Sequence, residues 1–147
     1  MTARRAGLLA ALAAAPLLAG CATPQERYCE TVREHQRELG EVRAEPGAPA
    51  LLDALPIFRD LAEDAPDDIR DEWRTVIEAV ERFERAVEEA GIDPADYSRD
   101  DVPDGLDADR RRALEEASVG LVQPETRLAM GGVEQHSLDV CKTPLSL

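Results

Sequence analysis

The chain has 147 residues, enough for one domain, with 17 basic against 31 acidic side chains and a formal charge of −14. A surface this acidic repels phosphate backbones and anionic lipid headgroups, which argues against nucleic-acid binding and against a basic membrane-docking patch. Aromatic residues make up only 3%, so aliphatic and alanine packing must fill the core. Abundant Ala, Glu, Asp and Arg, with no alternating β-branched run, favour helix.

The N-terminus, MTARRAGLLAALAAAPLLAGC, has a short basic region at Arg4 and Arg5, an apolar run from about Ala6 to Leu18, and the close Leu18-Ala19-Gly20-Cys21. The run is too short to span a bilayer as a permanent helix. The segment resembles a bacterial lipoprotein signal peptide ending in a lipobox: an aliphatic residue, two small residues, then Cys. The resemblance implies removal of residues 1–20 and diacylation of the Cys21 sulfur, a palmitate-type anchor on the extracytoplasmic face of the cell membrane. Residues flanking Arg4-Arg5 match the twin-arginine pattern poorly, so general secretion is the expected route. Loss of those two arginines leaves 15 basic against 31 acidic residues, a mature charge of −16.

Residues 21–23 read as a lipidated tether and 24–147 as a single helical domain. Thr23-Pro24-Gln25-Glu26 has the capping-box spacing, which predicts a first helix from about Pro24 to Val42. Its inward face is read as Tyr28/Cys29, Val32, Gln36, Leu39 and Val42. Pro46, Gly47 and Pro49 stop it. A second helix is predicted over about Ala50–Glu63, with Leu51, Leu52, Leu55, Phe58, Leu61 and Ala62 inward. Pro56 lies inside it and requires a kink or a break.

The strongest pattern is Ala65–Gly91. Ile69, Trp73, Val76, Val80, Phe83, Val87 and Ala90 recur in alternating steps of four and three, an unbroken heptad seam that Ile77 widens. Pro66 reads as the first helical position, Asp67 and Asp68 as first-turn acids, and Gly91 as the stop. Glu78–Arg82 and Glu81–Arg85 read as i,i+4 pairs. Asp93–Tyr97 predicts a single capped turn, followed by a polar loop to Leu106. Asp107 then caps a fourth helix over about Ala108–Leu121, with Leu114, Ala117, Leu121 and Val122. After Pro124 a fifth segment runs to about Cys141, carrying Leu128, Ala129, Val133, Leu138 and Val140. Gly131-Gly132 weakens it, and the last two segments read equally as one long kinked helix. KTPLSL reads as a tail.

With Cys21 lipidated, Cys29 and Cys141 remain, one near each end of an exported domain. They form either a staple or two free thiols. A bridge closing a loop of roughly 110 residues corresponds to at most about 4.5–5 kcal/mol by chain entropy. It sets the first and last helices antiparallel, giving an all-α, up-and-down four-helix-type bundle with a Pro-kinked second helix and one Cys29–Cys141 disulfide.

Candidate chemistry is sparse. A bridge brings His35 and His136 to about the same level, the raw material for a copper or zinc site with Glu34, Glu38 and Glu134. Helical angles turn each His away from its own Cys. Asp93, Asp96, Asp100, Asp101, Asp104, Asp107 and Asp109 suggest calcium, but an EF-hand loop with Gly105 at its glycine position puts Val102 and Arg111 at ligand positions and fails. Nucleophile motifs and phosphate loops are absent. Trp73, Phe83 and Phe58 read as core, with an interhelical ligand cavity as the alternative. The expectation is a non-enzymatic protein without a cofactor. Its partners are the membrane, through the anchor, and an envelope protein or small ligand.

ALPIFRDLAEDAPDDIRDEW (Ala54–Trp73) and DVCKTPL (Asp139–Leu145), together with the lipobox, resemble a group of small, uncharacterised actinobacterial lipoproteins. A single lysine, Lys142, among many arginines agrees with this. The resemblance implies the compartment, a helical fold and the Cys29–Cys141 pairing, and supplies no catalytic residue.

Overall fold

The computed structural model describes residues 22–44, 47–99, 102 and 105–145. The leader, Cys21, Pro46, Asp100, Asp101, Pro103 and Asp104 lie outside the described residues. Six α-helices follow one another: α1 (Pro24–Ala44), α2 (Ala48–Asp53), α3 (Leu55–Asp64), α4 (Arg70–Ala90), α5 (Ala108–Gly120) and α6 (Pro124–His136). There is no β-sheet among the described residues.

α1 opens on the capping box. Thr23 Oγ1 accepts from the Glu26 N–H at 3.2 Å, and the Glu26 carboxylate accepts from the Thr23 N–H at 2.8 Å. These bonds, the backbone one foremost, hold the Glu26 carboxyl below its usual range. The inward face is Tyr28, Cys29, Val32 and Leu39. Gln36, read from sequence as inward, is exposed, and His35 is half-buried instead. His35 has carboxylate partners in Glu38 and Asp60 that make its half-buried position favourable.

The predicted Pro-kinked second helix is broken outright into α2 and α3. Pro56 has no N–H to donate, so one ladder bond is missing just past Ala54, whose own N–H and C=O still bond Ala50 and Phe58, and Pro56 falls in the first turn of α3, where that lack costs nothing. Leu55, Phe58 and Leu61 then turn inward.

α4 keeps the predicted seam: Ile69, Trp73, Val76, Val80, Phe83, Val87 and Ala90 are all buried. Ala79 and Ala86 are buried too and widen the stripe. The start differs from expectation. Pro66 does not open the helix; residues 66–69 form a turn closed by Ile69 N–H to Pro66 O at 3.2 Å, and Ile69 has a non-helical φ of −129°. Arg70 ties that turn, bonding the Ala65 carbonyl at 3.3 Å and the Asp67 carboxylate at 2.7 Å. At the other end Gly91 adopts φ 67°, while Gly91 N–H and Ile92 N–H return to Glu88 O and Val87 O, a Schellman close that requires the left-handed region. Arg82 reaches Glu78 at 4.0 Å as expected, but Glu81 pairs across helices with Arg59 at 2.9 Å.

Asp93 caps the single 3₁₀ turn Pro94–Asp96, accepting from Ala95 N–H at 2.9 Å, and Asp107 caps α5 by accepting from Asp109 and Arg110 N–H. α5 and α6 are separate helices divided at residues 121–123, and they run end to end along α4. Leu114 and Ala117 of α5 pack with Phe83, Ala86, Val87 and Ala90, while Ala129 and Val133 of α6 belong with Trp73, Val76 and Val80. Rising numbers on one side meet falling numbers on the other, so the pair is antiparallel to α4. α6 lies close: a Cβ on Gly132 would stand 3.2 Å from the Glu72 side chain. Leu128 and Leu138, grouped with the core in the sequence reading, are 76% and 49% exposed.

α6 widens into a π turn, Ser137–Cys141, and the chain reverses at Lys142, whose φ is 56°. Buried Ser137 Oγ donates to Thr143 O at 2.7 Å and fixes the reversal. The end of the chain then folds back, and Leu145 is 1% exposed within the core. α1 packs on α3 and on the π turn, α3 on α4, and α4 on both α5 and α6. Contacts set the directions: Thr31 and His35 of α1 meet Asp64 and Asp60 of α3, so those two are antiparallel.

Candidate functional site

The Cys29–Cys141 disulfide spans a separation of 112 residues with a Cα–Cα distance of 5.1 Å. Helix α1 supplies one sulfur at its second turn and the π turn supplies the other. Of the residues read from sequence as sites, these two are brought together. Cys21 lies outside the described residues.

Beside the bridge sits a buried polar–aromatic group drawn from three elements. Tyr28 and Trp73 are both fully buried, and Trp73 Nε1 donates to the Tyr28 hydroxyl at 3.2 Å. Burial pushes the Tyr28 phenol up to about 12, against the indole bond that pulls it down. His136 stands edge-on to the Tyr28 ring, with centroids 5.7 Å apart and planes at 71°. Its Nδ1 is 3.6 Å from the Asp68 carboxylate, and its Nε2 is buried without a hydrogen-bond partner. A phenol this hard to ionise is neither a base nor a nucleophile near neutral pH. The group works as a pin that joins α1, α4 and α6 next to the covalent staple.

His35 has different neighbours. Its Nδ1 is 2.9 Å from Glu38 and its Nε2 3.4 Å from Asp60, so it bridges α1 and α3. The two histidines therefore serve different helix pairs. Among the described residues, no group of three or more His, Cys, Asp or Glu side chains is arranged to hold a metal ion.

The acidic loop divides in the same way. Asp93 and Asp107 are capping residues, and Asp96 lies in the turn that Asp93 caps. Phe58 and Trp73 pack on one another at 5.8 Å, and Phe83 meets Tyr97 edge-on at 5.0 Å, all three residues of the aromatic reading being buried. An open groove of about 540 Å³ lies between the second half of α1 and α2–α3. Val42 and Ile57 form its apolar part, and Glu38, Glu41 and Asp53 contribute carboxylates.

Sequence reasoning named Tyr28 and Trp73 as inward residues but not as partners, because a contact over 45 positions leaves no local trace. Asp60 and Asp64 were missed altogether. Their signal is a polar residue placed on the edge of the α3 apolar face, opposite His35 and Thr31. No family model, curated protein or solved structure matches the chain.

Proposed function

We propose that the chain is a lipid-anchored, non-enzymatic interaction or binding module of the bacterial cell envelope, attached to the extracytoplasmic face of the membrane through Cys21. The observation that carries this reading is the junction itself. A lipobox ends at Cys21, and a capped helix of a disulfide-stapled domain begins at Pro24. Covalent lipid provides attachment that the acidic surface does not, and a disulfide belongs in an oxidising compartment. Likeness to small actinobacterial lipoproteins belongs to the same proposal.

The body is read as a four-legged, up-and-down bundle: α1, then α2 with α3, then α4, then α5 with α6. In its favour, Tyr28 of α1 meets Trp73 of α4 inside the core, as residues of diagonal legs do. The disulfide closes the last leg onto the first. Such a body offers a partner a rigid acidic surface.

Crosslinking the native lipoprotein in its own membrane, with identification of what is recovered, tests the reading. A specific envelope protein is expected. Recovery of none, or retention of a Cys21→Ala variant in the membrane fraction, overturns it.

A further inference from the structure

Structure begins almost at the anchor. The Ala22 carbonyl already accepts a bond from Arg27 Nη1 at 2.7 Å, the Thr23 carbonyl accepts from Arg27 N–H at 3.0 Å, and the Thr23 N–H is held by Glu26. One peptide link, about 3.8 Å between Cα atoms, separates Ala22 from Cys21. Lipid on Cys21 would leave only that link between the bilayer and the first hydrogen-bonded residue.

We infer that the domain stands on the bilayer by the α1 N-terminal end, without slack, and carries its opposite end about 30 Å outward. This rests on the lipid anchorage proposed above. The lipid-facing end is identified by what surrounds the start of α1. Asp64, at the end of α3, accepts from Thr31 Oγ1 at 2.6 Å and lies 3.8 Å from Arg27, and Cys141 is bonded to Cys29. The turn 66–69 and the π turn therefore sit near the headgroups.

Charge opposes toppling. Beyond residue 20 the chain has 15 basic against 31 acidic residues, so laying the body along anionic headgroups brings more of that charge to them than standing on one end does. Asp67 and Asp68, with side chains 90% and 69% exposed, are repelled at the foot itself, and the covalent lipid offsets that repulsion. α1 has 21 residues, so at 1.5 Å per residue its far end lies about 30 Å from the anchor. There α2 packs against the Pro94–Asp96 turn. That pair of short elements is the surface an approaching macromolecule meets first. The disulfide and the Tyr28–Trp73 pin lie at the anchored end.

Neutron reflectometry of the full lipoprotein in a supported bilayer of phosphatidylcholine and phosphatidylglycerol tests this. An upright domain gives a protein layer about 35–40 Å thick directly against the headgroups, whereas a toppled one gives about 20–25 Å, two helix diameters. Insertion of ten Gly/Ser residues between Cys21 and Ala22 keeps the protein on the bilayer and adds a diffuse layer of roughly 15–20 Å beneath it. A thin layer from the unaltered lipoprotein overturns the inference and leaves the anchor intact. An unchanged profile after the insertion also overturns it, because the short junction then does not set the stance. Failure of the unaltered protein to stay on the bilayer overturns both the anchor and the stance.

Discussion

The two halves of α4 are built differently. The first half, through Trp73, Val76 and Val80, lies in a core shared with α1, α3, α6 and the tail residue Leu145. The second half, through Phe83, Ala86, Val87 and Ala90, is covered mainly by α5, of whose side chains only Leu114, Ala117 and Ser118 are buried. One end has a disulfide, a buried indole–phenol bond and five contributing segments. The other has an alanine-rich contact, a 3₁₀ turn and helix caps. A continuous apolar stripe on one helix therefore does not imply uniform stability along it; what covers the stripe decides.

Val80 stands where the halves meet, and Val80→Asp tests whether they melt as one. Burying an unpaired charge at a residue 2% exposed is expected to prevent folding, seen as loss of the cooperative thermal transition. A variant that loses only α5 would make the halves independent units. Removal of the staple, Cys29→Ala with Cys141→Ala, should cost about 2–5 kcal/mol in denaturant unfolding. Hydrogen-exchange protection should fall first in the π turn and at the start of α1; a fall confined to α5 would contradict the division. Trp73→Phe removes the bond to the Tyr28 hydroxyl and is expected to cost about 1–2 kcal/mol in the same measurement.

Another effect appears only in alkali. Tyr28 is raised from 10.0 to about 12 by burial, so the folded state favours the neutral phenol. Its contribution is complete below pH 10 and is lost as pH rises toward 12. Melting temperature should fall across that window, and Tyr28→Phe should flatten the fall. The smallest effect is expected at the thin end. Asp107→Ala removes the α5 cap and should cost about 1 kcal/mol, with faster amide exchange in α5 and none in α1.

Much of the fold was open to sequence reading, for physical reasons, although the division of α4 was not. The α4 seam is long and regular, so its periodicity survives any local exception. The caps at Thr23, Asp93 and Asp107 are local chemistry, and the Cys29–Cys141 bridge is one of the two readings, staple or free thiols, that the cysteine count left open. Pro66 misled because a proline suits a turn as well as a first helical position. Ala79 and Ala86 were hidden because alanine is unremarkable on either face of a helix. Leu128 and Leu138 show the reverse case, apolar residues that the neighbouring helices do not reach. At the candidate site, the staple was legible. The pin was not, since Tyr28, Trp73 and His136 come from three helices and meet only in the folded chain.

Leu145 has a consequence for when the molecule can exist at all. It belongs to the larger core and lies four residues beyond Cys141. Synthesis from the N-terminus supplies that residue only after all six helices have been made. Until then the larger core has an open side, and α1 has neither its bridge nor its final neighbour. Closure of the larger core thus waits on a residue that lies outside every helix. Truncation just before Leu145 would act as a core mutation, although it leaves all six helices and both cysteines of the bridge in place.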